Sequence, residues 1–155
     1  QGADKGFVWR NLSLSLPAGP DFLLEIAKLK ALRLLWYQVA QAFEIIDFKP
    51  KDINIHVRSV PWISERFQPH SNVLKSTVSA LSAVVGGCNS LTIEPEDELN
   101  ATMNRVARNV SSIIREEAHL NMVADPVAGA YTIESIIDKL AEAAWKQFQS
   151  EIKQS

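Results

Sequence analysis

The sequence predicts an α/β domain built from four consecutive β/α units. Short runs in which apolar and polar residues alternate, typical of strands, are each followed by a longer run with apolar residues three or four positions apart, typical of helices. Proline and glycine separate these runs. Regular alternation of strand and helix argues for parallel strands joined by right-handed crossovers. The 155 residues, 46% of them hydrophobic, suffice for one domain with one core.

The first unit follows residues 1–10, a polar and glycine-bearing stretch that we expect to be a disordered end or a cloning remnant. Leucines alternate with serines over residues 11–16 and predict a strand, which Pro17 ends. Asp21 is placed to cap the next helix, because a short acidic side chain accepts N–H bonds from the first turn. Apolar spacing continues this helix to about Phe43 and makes it the longest of the chain.

The second and third units repeat this order. Residues 53–57 predict a strand, and a helix begins near Ser71 and stops at Gly86, since glycine commonly ends helices. Alternation over residues 90–93 predicts the third strand.

The fourth unit lies in the segment 104–134. Its helical part places a stripe of apolar residues on one face, namely Val106, Val110, Ile113 and Ile114. The apolar run 122–124 predicts a fourth strand, which stops at Asp125 because the following proline cannot continue a ladder. Thr132 is the expected N-cap of the last helix, which runs to about Phe148.

Four β/α units are half of what a closed (β/α)₈ TIM barrel contains, and such barrels usually have about 250 residues. We therefore predict half a barrel over residues 11–150, with a tail at 151–155. A sheet cut from a barrel has two open edges, so we do not expect a stable monomer. We expect the following apolar side chains to be left exposed: Leu12, Leu14, Leu16, Ile53, Ile55, Leu91, Ile93 and Val123.

Composition argues against several function classes. The net charge of −2, with basic and acidic residues mixed along the chain, offers no basic field for nucleic acid or an anionic membrane. No apolar run approaches the roughly twenty residues of a membrane helix. Cys88 is the only cysteine, which excludes an internal disulfide, and we expect it to be a small buried residue. We expect a cytoplasmic protein without a metal site, processed or excised from a longer chain because it starts at Gln1.

Two segments carry a family resemblance. Residues 105–134, R-V-A-R-N-V-S-S-I-I-R-E-E-A-H-L-N-M-V-A-D-P-V-A-G-A-Y-T-I-E, resemble a signature of the adenosylcobalamin-dependent acyl-CoA mutases, methylmalonyl-CoA mutase above all. Residues 21–36, D-F-L-L-E-I-A-K-L-K-A-L-R-L-L-W, are similar to a helix in the second half of that family's substrate-binding barrel. The resemblance covers roughly residues 12–148 and implies the C-terminal half of the barrel.

The positions that match the family's site depart from its catalytic pattern. Catalytic members read approximately H-x-Q-T-S-G-W on one strand, of which His56 and Trp62 persist while Arg58 replaces the glutamine. On the next strand the family's S-L-H-T-N becomes S-L-T-I-E, so that Thr92 and Glu94 replace the imidazole and the amide. The departure resembles the non-catalytic small subunits. We therefore predict no catalytic residue.

Four side chains remain as remnant site positions by resemblance: His56, Arg58, Thr92 and Asp125. A structural role is the simpler interpretation of His56, and Asp125 lies in an Asp-Pro-x-x-Gly run that also serves as a turn. The adjacent Glu116 and Glu117 could suggest a carboxylate pair, but neighbouring helix residues point about 100° apart.

The resemblance implies two functions. In the first, the chain is a fragment of a methylmalonyl-CoA mutase small subunit, itself non-catalytic, that assembles with the catalytic large subunit. In the second, it belongs to a catalytic acyl-CoA mutase. Adenosylcobalamin is the implied cofactor of the holoenzyme, and none is expected on this chain alone. Further expected partners are the missing N-terminal half of its own barrel or a second copy of the chain. An unrelated enzyme on a shared scaffold is a third alternative.

Overall fold

The computed structural model describes residues 4–19, 21–60 and 70–153. The helices and strands are the following, in chain order: α1 Lys5–Arg10, β1 Ser13–Ala18, α2 Phe22–Ala42, β2 Asn54–Ser59, α3 Ser71–Val85, β3 Ser90–Thr92, α4 Ala101–Glu116 and α5 Tyr131–Ile152. Single 3-10 turns are formed by Pro50–Asp52 and Leu120–Met122.

The three strands form one parallel sheet in the order β1-β2-β3. Leu14 lies opposite Ile55, and Val57 lies opposite Leu91. These facing residues are apolar and packed in the core beneath the helices. The α/β class and the first three strands with their crossover helices are therefore as the sequence predicts. The expected end of the first strand at Pro17 is wrong, because β1 continues through Pro17 to Ala18. β1 is an edge strand, where a proline can be tolerated.

The helices cover one face of this sheet. The core joins that face to α2, α3 and the turn between α2 and β2, and its buried members are Ala18, Leu29, Ala40, Ile45, Phe48, Ile53, Ile55, Val57 and Ala83. A second cluster, formed by Ala80, Val110 and Ile114, joins α3 to α4. The opposite face carries the polar residues of the alternation, and most of them are exposed.

The caps of α2 and α3 explain why their bounds could be predicted. The carboxylate Oδ1 of Asp21 accepts the N–H of Leu24 at 3.0 Å. At the end of α3, Gly86 donates to the carbonyl of Ser82 at 2.8 Å, and Gly87 follows with φ +84°, a conformation that favours glycine. Both helix limits are confirmed.

The expectation that residues 1–10 are disordered is wrong for Lys5–Arg10, which form α1. Trp9 packs its ring on Trp36 with centroids 5.0 Å apart and meets Phe48 edge-on at 6.2 Å. Asp4 caps this short helix, accepting the N–H of Phe7 at 2.9 Å. Burial of the tryptophan stabilises a segment whose polar composition suggested a frayed end.

The fourth strand predicted over residues 122–124 does not form in the described part of the chain. Met122 instead closes a 3-10 turn by donating to the carbonyl of His119 at 3.0 Å, and Met122 and Val123 are exposed. The backbone of this run makes a hydrogen bond within its own 3-10 turn instead of pairing with β3, whose edge offers only the three residues Ser90–Thr92. The predicted cap at Thr132 is also wrong, since α5 begins at Tyr131 with Ala130 as its N-cap.

Two expectations tied to a half barrel need correction. Ile53 and Ile55 are 3% and 0% exposed, so the helices bury the apolar side of the sheet that we expected to be open. Leu14, Leu16 and Leu91 are half-buried against the same core. The last helix, α5, was expected to complete a fourth β/α unit. It packs chiefly against α2, the helix of the first unit.

Candidate functional site

The alternation of the strands gathers hydrogen-bonding side chains on the face of the sheet that lies opposite the helices. We call this surface the polar sheet face. It consists of Ser13, Ser15, Asn54, His56, Arg58, Ser90 and Thr92. Because a strand has a period of two, these positions are the ones that alternate with the buried isoleucine and valine and the half-buried leucine residues. Three of the four predicted site residues lie here together.

His56 is held at both ring nitrogens. Its Nδ1 lies 2.8 Å from the hydroxyl of Ser15 on β1, and its Nε2 lies 2.9 Å from the hydroxyl of Thr92 on β3. A neutral imidazole has one donor and one acceptor, so one hydroxyl donates to the ring and the other accepts from it. The ring therefore ties the three strands together. Neither nitrogen can bind a metal or accept a proton from a substrate without breaking one of these bonds.

Arg58 is neutralised by an acidic neighbour. Its Nε donates to the carboxylate of Glu94, which is itself fixed because the N–H of Glu94 donates to the hydroxyl of Ser59 at 2.9 Å. The hydrogen bond from Arg58 to Glu94, together with the charge of Glu94, raises the pKa of the guanidinium. The glutamine-to-arginine and amide-to-carboxylate departures noted in the sequence thus form a single ion pair.

Asp125 does not join this cluster. Its Oδ2 accepts from Nζ of Lys30 on α2 at 2.6 Å, and its Oδ1 accepts the N–H of Val127 at 3.2 Å. Burial raises the pKa of Asp125. The hydrogen bonds from Lys30 and from the backbone N–H groups of Val127 and Ala128 lower the pKa by more than burial raises it, so the pKa lies below its usual value. The carboxylate thus organises the turn before α5, which is the turn role considered for the Asp-Pro-x-x-Gly run in the sequence.

The other candidates are also occupied or exposed. His70 contacts Glu96 at 3.1 Å, His119 is an exposed residue after α4, and Glu116 pairs with its neighbour Arg115. Trp62 lies outside the described residues. Within the described ranges, no three His, Cys, Asp or Glu side chains are grouped as metal ligands.

Arg33 is the most connected side chain that the sequence reasoning missed. Its guanidinium donates to the carbonyls of Pro50, Ile53 and Gly87 at 2.7–2.9 Å and to the side-chain oxygen of Asn89 at 3.0 Å. The same oxygen of Asn89 accepts the N–H of Ile55 at 2.9 Å. Burial lowers the pKa of Arg33. The signal was an arginine on the apolar stripe of α2, between Leu29 and Trp36.

Comparison with known proteins identifies the family. The family model described as "Methylmalonyl-CoA mutase" matches residues 2–155. This chain belongs to the methylmalonyl-CoA mutase family. It is 38% identical over 152 residues to the "Methylmalonyl-CoA mutase small subunit" of Streptomyces virginiae and 33% identical over 137 residues to that of Porphyromonas gingivalis. These matches take in 96% and 85% of this chain.

A relative named without a subunit is similarly close. The chain is 34% identical over 137 residues to the "Methylmalonyl-CoA mutase" of Escherichia coli, which takes in 86% of this chain. The chain spans only about a fifth to a quarter of the length of these curated relatives, namely 24% of the Streptomyces protein, 22% of the Porphyromonas protein and 19% of the Escherichia protein.

Both ring nitrogens of His56 are bonded to hydroxyl groups, so this imidazole is not free to act as a ligand to the cobalt of the cobalamin that the resemblance implies. No helix among the described residues is long and apolar enough to cross a membrane.

Proposed function

We propose that this chain is the C-terminal half of the substrate-binding barrel of a methylmalonyl-CoA mutase small subunit and that it serves assembly rather than chemistry. The observation that carries the proposal is the closed hydrogen-bond chain through Ser15, His56 and Thr92. A general base or ligand needs an available lone pair within reach of its substrate. Here the imidazole uses both nitrogens to hold neighbouring strands together.

The ion pair of Arg58 and Glu94 supports the same role. A polar group that assists a radical rearrangement has to face the substrate, whereas this cation is bound to a carboxylate of its own chain. The pair joins the end of β2 to the loop that follows β3, so its effect is to fix that loop at the carboxyl end of the sheet. In a barrel enzyme this end carries the active site.

The proposal has consequences for partners and cofactor. A small subunit has a larger partner, and we propose the catalytic large subunit of the mutase, with adenosylcobalamin bound away from this chain. The holoenzyme would interconvert methylmalonyl-CoA and succinyl-CoA. The edges of β1 and β3, each with one described neighbour, are where further strands of the barrel would pair. For the fourth β/α unit to be complete, the segment around Val123 would have to become a strand on assembly.

A transplant tests the assembly role. The 152 matched residues of the Streptomyces virginiae small subunit would be replaced by this chain, and the hybrid would be co-expressed with its large subunit. We expect a complex that co-purifies and turns over methylmalonyl-CoA at a rate within a few-fold of the parent. Loss of turnover by more than tenfold in an intact complex would contradict the proposal.

A second transplant, into a mutase named without a subunit, distinguishes the assembly role from the catalytic alternative. In the Escherichia coli mutase, the same replacement would insert Arg58, Thr92 and Glu94 at positions where catalytic members carry glutamine, histidine and asparagine. We expect turnover to fall by about 10²-fold or more, the typical effect of removing a positioned polar group. Restoring the three residues by R58Q, T92H and E94N should recover part of the rate. Full turnover without restoration would favour the catalytic alternative.

A further inference from the structure

The helix α3 has small residues on its inner side and large apolar residues on its outer side. The positions that it buries are serine and alanine, namely Ser76, Ser79, Ala80, Ser82 and Ala83. On the other side, Leu74 and Val78 are 71% and 41% exposed. Leu81 and Val85 continue this row along the helix and are half-buried. These four side chains share one side because an α-helix has a period of 3.6 residues, and we call them the α3 stripe.

The inner side of α3 is already closely packed. At the end of the helix, a Cβ added to Gly86 would lie 2.8 Å from Cδ1 of Leu29 on α2, so the two helices approach closely. The buried hydroxyl of Ser82 donates to the carbonyl of Ser79 at 2.8 Å. The large side chains of the α3 stripe are therefore not core residues that a small rotation of the helix would bury.

A groove of about 300 Å³ extends the α3 stripe toward α4, and we call it the α3–α4 groove. Val73 and Thr77 line it from α3, and Val106 and Ile113 line it from α4. Ile113 is 48% exposed. The only charged residue of α3 is Lys75, although the outer side of a surface helix is usually polar. A contiguous apolar surface of this kind is typical of an interaction site.

The charges beside this surface are basic. Arg105 and Arg108 on α4 are exposed and pair with no carboxylate among residues 4–19, 21–60 and 70–153. The only acidic residue of α4, Glu116, is paired with Arg115. A partner that carries carboxylates beside its apolar contact residues would complement the two unpaired guanidinium groups.

A second copy of the chain does not provide this complement. α3 contacts α2 and α4, so a twofold axis at the α3 stripe would place α4 of one copy opposite α4 or α2 of its partner. α4 has three arginines and one glutamate, and α2 has three basic residues and one glutamate. Both arrangements bring like charges together, which disfavours association.

We propose that the α3 stripe and the α3–α4 groove form a docking surface for an amphipathic helix of the catalytic large subunit, in which aspartate or glutamate residues flank an apolar stripe. Apolar contacts in the groove supply affinity, and the arginines of α4 orient the helix. The inference rests on the proposed function, because it names the surface by which this chain assembles with that subunit. Strands added at either edge of the sheet leave the surface open, since it lies on the outer side of the helix layer.

Two exposed leucines provide a matched test in the Streptomyces virginiae hybrid subunit. Leu74 belongs to the α3 stripe, whereas Leu99 is 98% exposed in the loop before α4. Leu74→Asp should raise the Kd for the large subunit by at least about tenfold, because it places a charge in the apolar contact. Leu99→Asp should change the Kd by less than about twofold. Val78→Asp repeats the test if Leu74→Asp lowers the melting temperature of the free hybrid.

Salt dependence tests the chemistry of the partner. The Kd of the unaltered complex should rise with added salt, because the contact between arginines and carboxylates is screened. Arg105→Glu should raise the Kd at low salt and reduce its dependence on salt. A Kd that is the same with and without Arg105→Glu at every salt concentration would overturn the acidic character of the helix.

Hydroxyl-radical labelling distinguishes the possible occupants. Leu74 and Ile113 should be labelled in the free hybrid and protected in the complex, while Leu99 should be labelled equally in both. Protection of Leu74 in a monomeric free hybrid would overturn the inference, since another segment of the same subunit would then cover the α3 stripe. Self-association of the hybrid that Leu74→Asp abolishes would overturn it in favour of a second copy.

The same experiment separates this inference from the proposed function. A complex that forms equally well with Leu74→Asp and Val78→Asp would overturn the docking surface and leave the assembly role intact. Failure of the unaltered hybrid to bind the large subunit would overturn both.

Discussion

Arg33 should contribute more to the stability of this fold than any charged residue on its surface. The substitution Arg33→Met keeps much of the aliphatic stem and removes four hydrogen bonds, three of them to backbone carbonyls. Most of these bonds lie at half-exposed positions where water can replace the guanidinium, so each is worth about 0.5–1 kcal/mol rather than the larger value for a buried charge. The expected loss is about 3 kcal/mol in the free energy of unfolding.

Urea unfolding followed by circular dichroism measures this loss, and the melting temperature should fall by about 6–12 °C for a chain of this size. Arg33→Lys should lose about half as much, because an ammonium cannot reach acceptors spread on both sides of a planar guanidinium. Arg108→Met is the matched control, an exposed arginine on α4 that should change stability by less than about 0.5 kcal/mol. Equal effects of R33M and R108M would refute the assignment of Arg33 as the link between α2, β2 and β3.

Two further predictions concern segments whose structure differs from the sequence expectation. Replacing Trp9 by alanine should lower the free energy of unfolding by about 3 kcal/mol, because the packing on Trp36 is lost. Replacing it by phenylalanine should lower the free energy of unfolding by less, because the indole N–H that is removed is buried without a partner. Thermal melts of the two variants measure the difference. Asp125 has a folded pKa below its unfolded value of 3.8, so the stability it adds is present above that pH and is lost as pH falls through the folded pKa. Because its side chain is 40% exposed, Asp125→Asn should lower stability at pH 7 by only about 0.5–1 kcal/mol, and the mutant and parent curves should converge in acid.

The elements with local signals could be predicted from the sequence. The helix α2 carries its own cap at Asp21, and α3 ends at Gly86 and Gly87, of which Gly87 has a positive φ that favours glycine, so both limits are set by neighbours in the chain. The fourth strand could not be predicted in this way, since a strand depends on a partner strand that the sequence does not reveal. The apolar run 122–124 has the composition of a strand but only a short edge beside which to form.

The sequence could predict which residues belong to the candidate site but not how they are hydrogen-bonded. Alternation placed His56, Arg58 and Thr92 on one face, and parallel register then brings them together. The sequence does not show that Ser15 and Thr92 lie on either side of the imidazole, because that arrangement depends on the pairing of three strands separated by about forty residues each. Asp125 lies outside the cluster and contacts Lys30 instead. The sequence could not show this contact, because the two residues are 95 positions apart in the chain.

The central claim is that these polar groups hold the sheet together and do not take part in the chemistry of the mutase. The decisive measurement is turnover of methylmalonyl-CoA by the Streptomyces virginiae hybrid in which this chain carries Arg58→Gln, or Thr92→Ser, beside the unaltered hybrid. Thr92→Ser keeps a hydroxyl for His56, and Arg58→Gln removes the charge that Glu94 neutralises. The account predicts rates within twofold of one another in complexes of equal stability. A fall of more than tenfold in an assembled complex would contradict it.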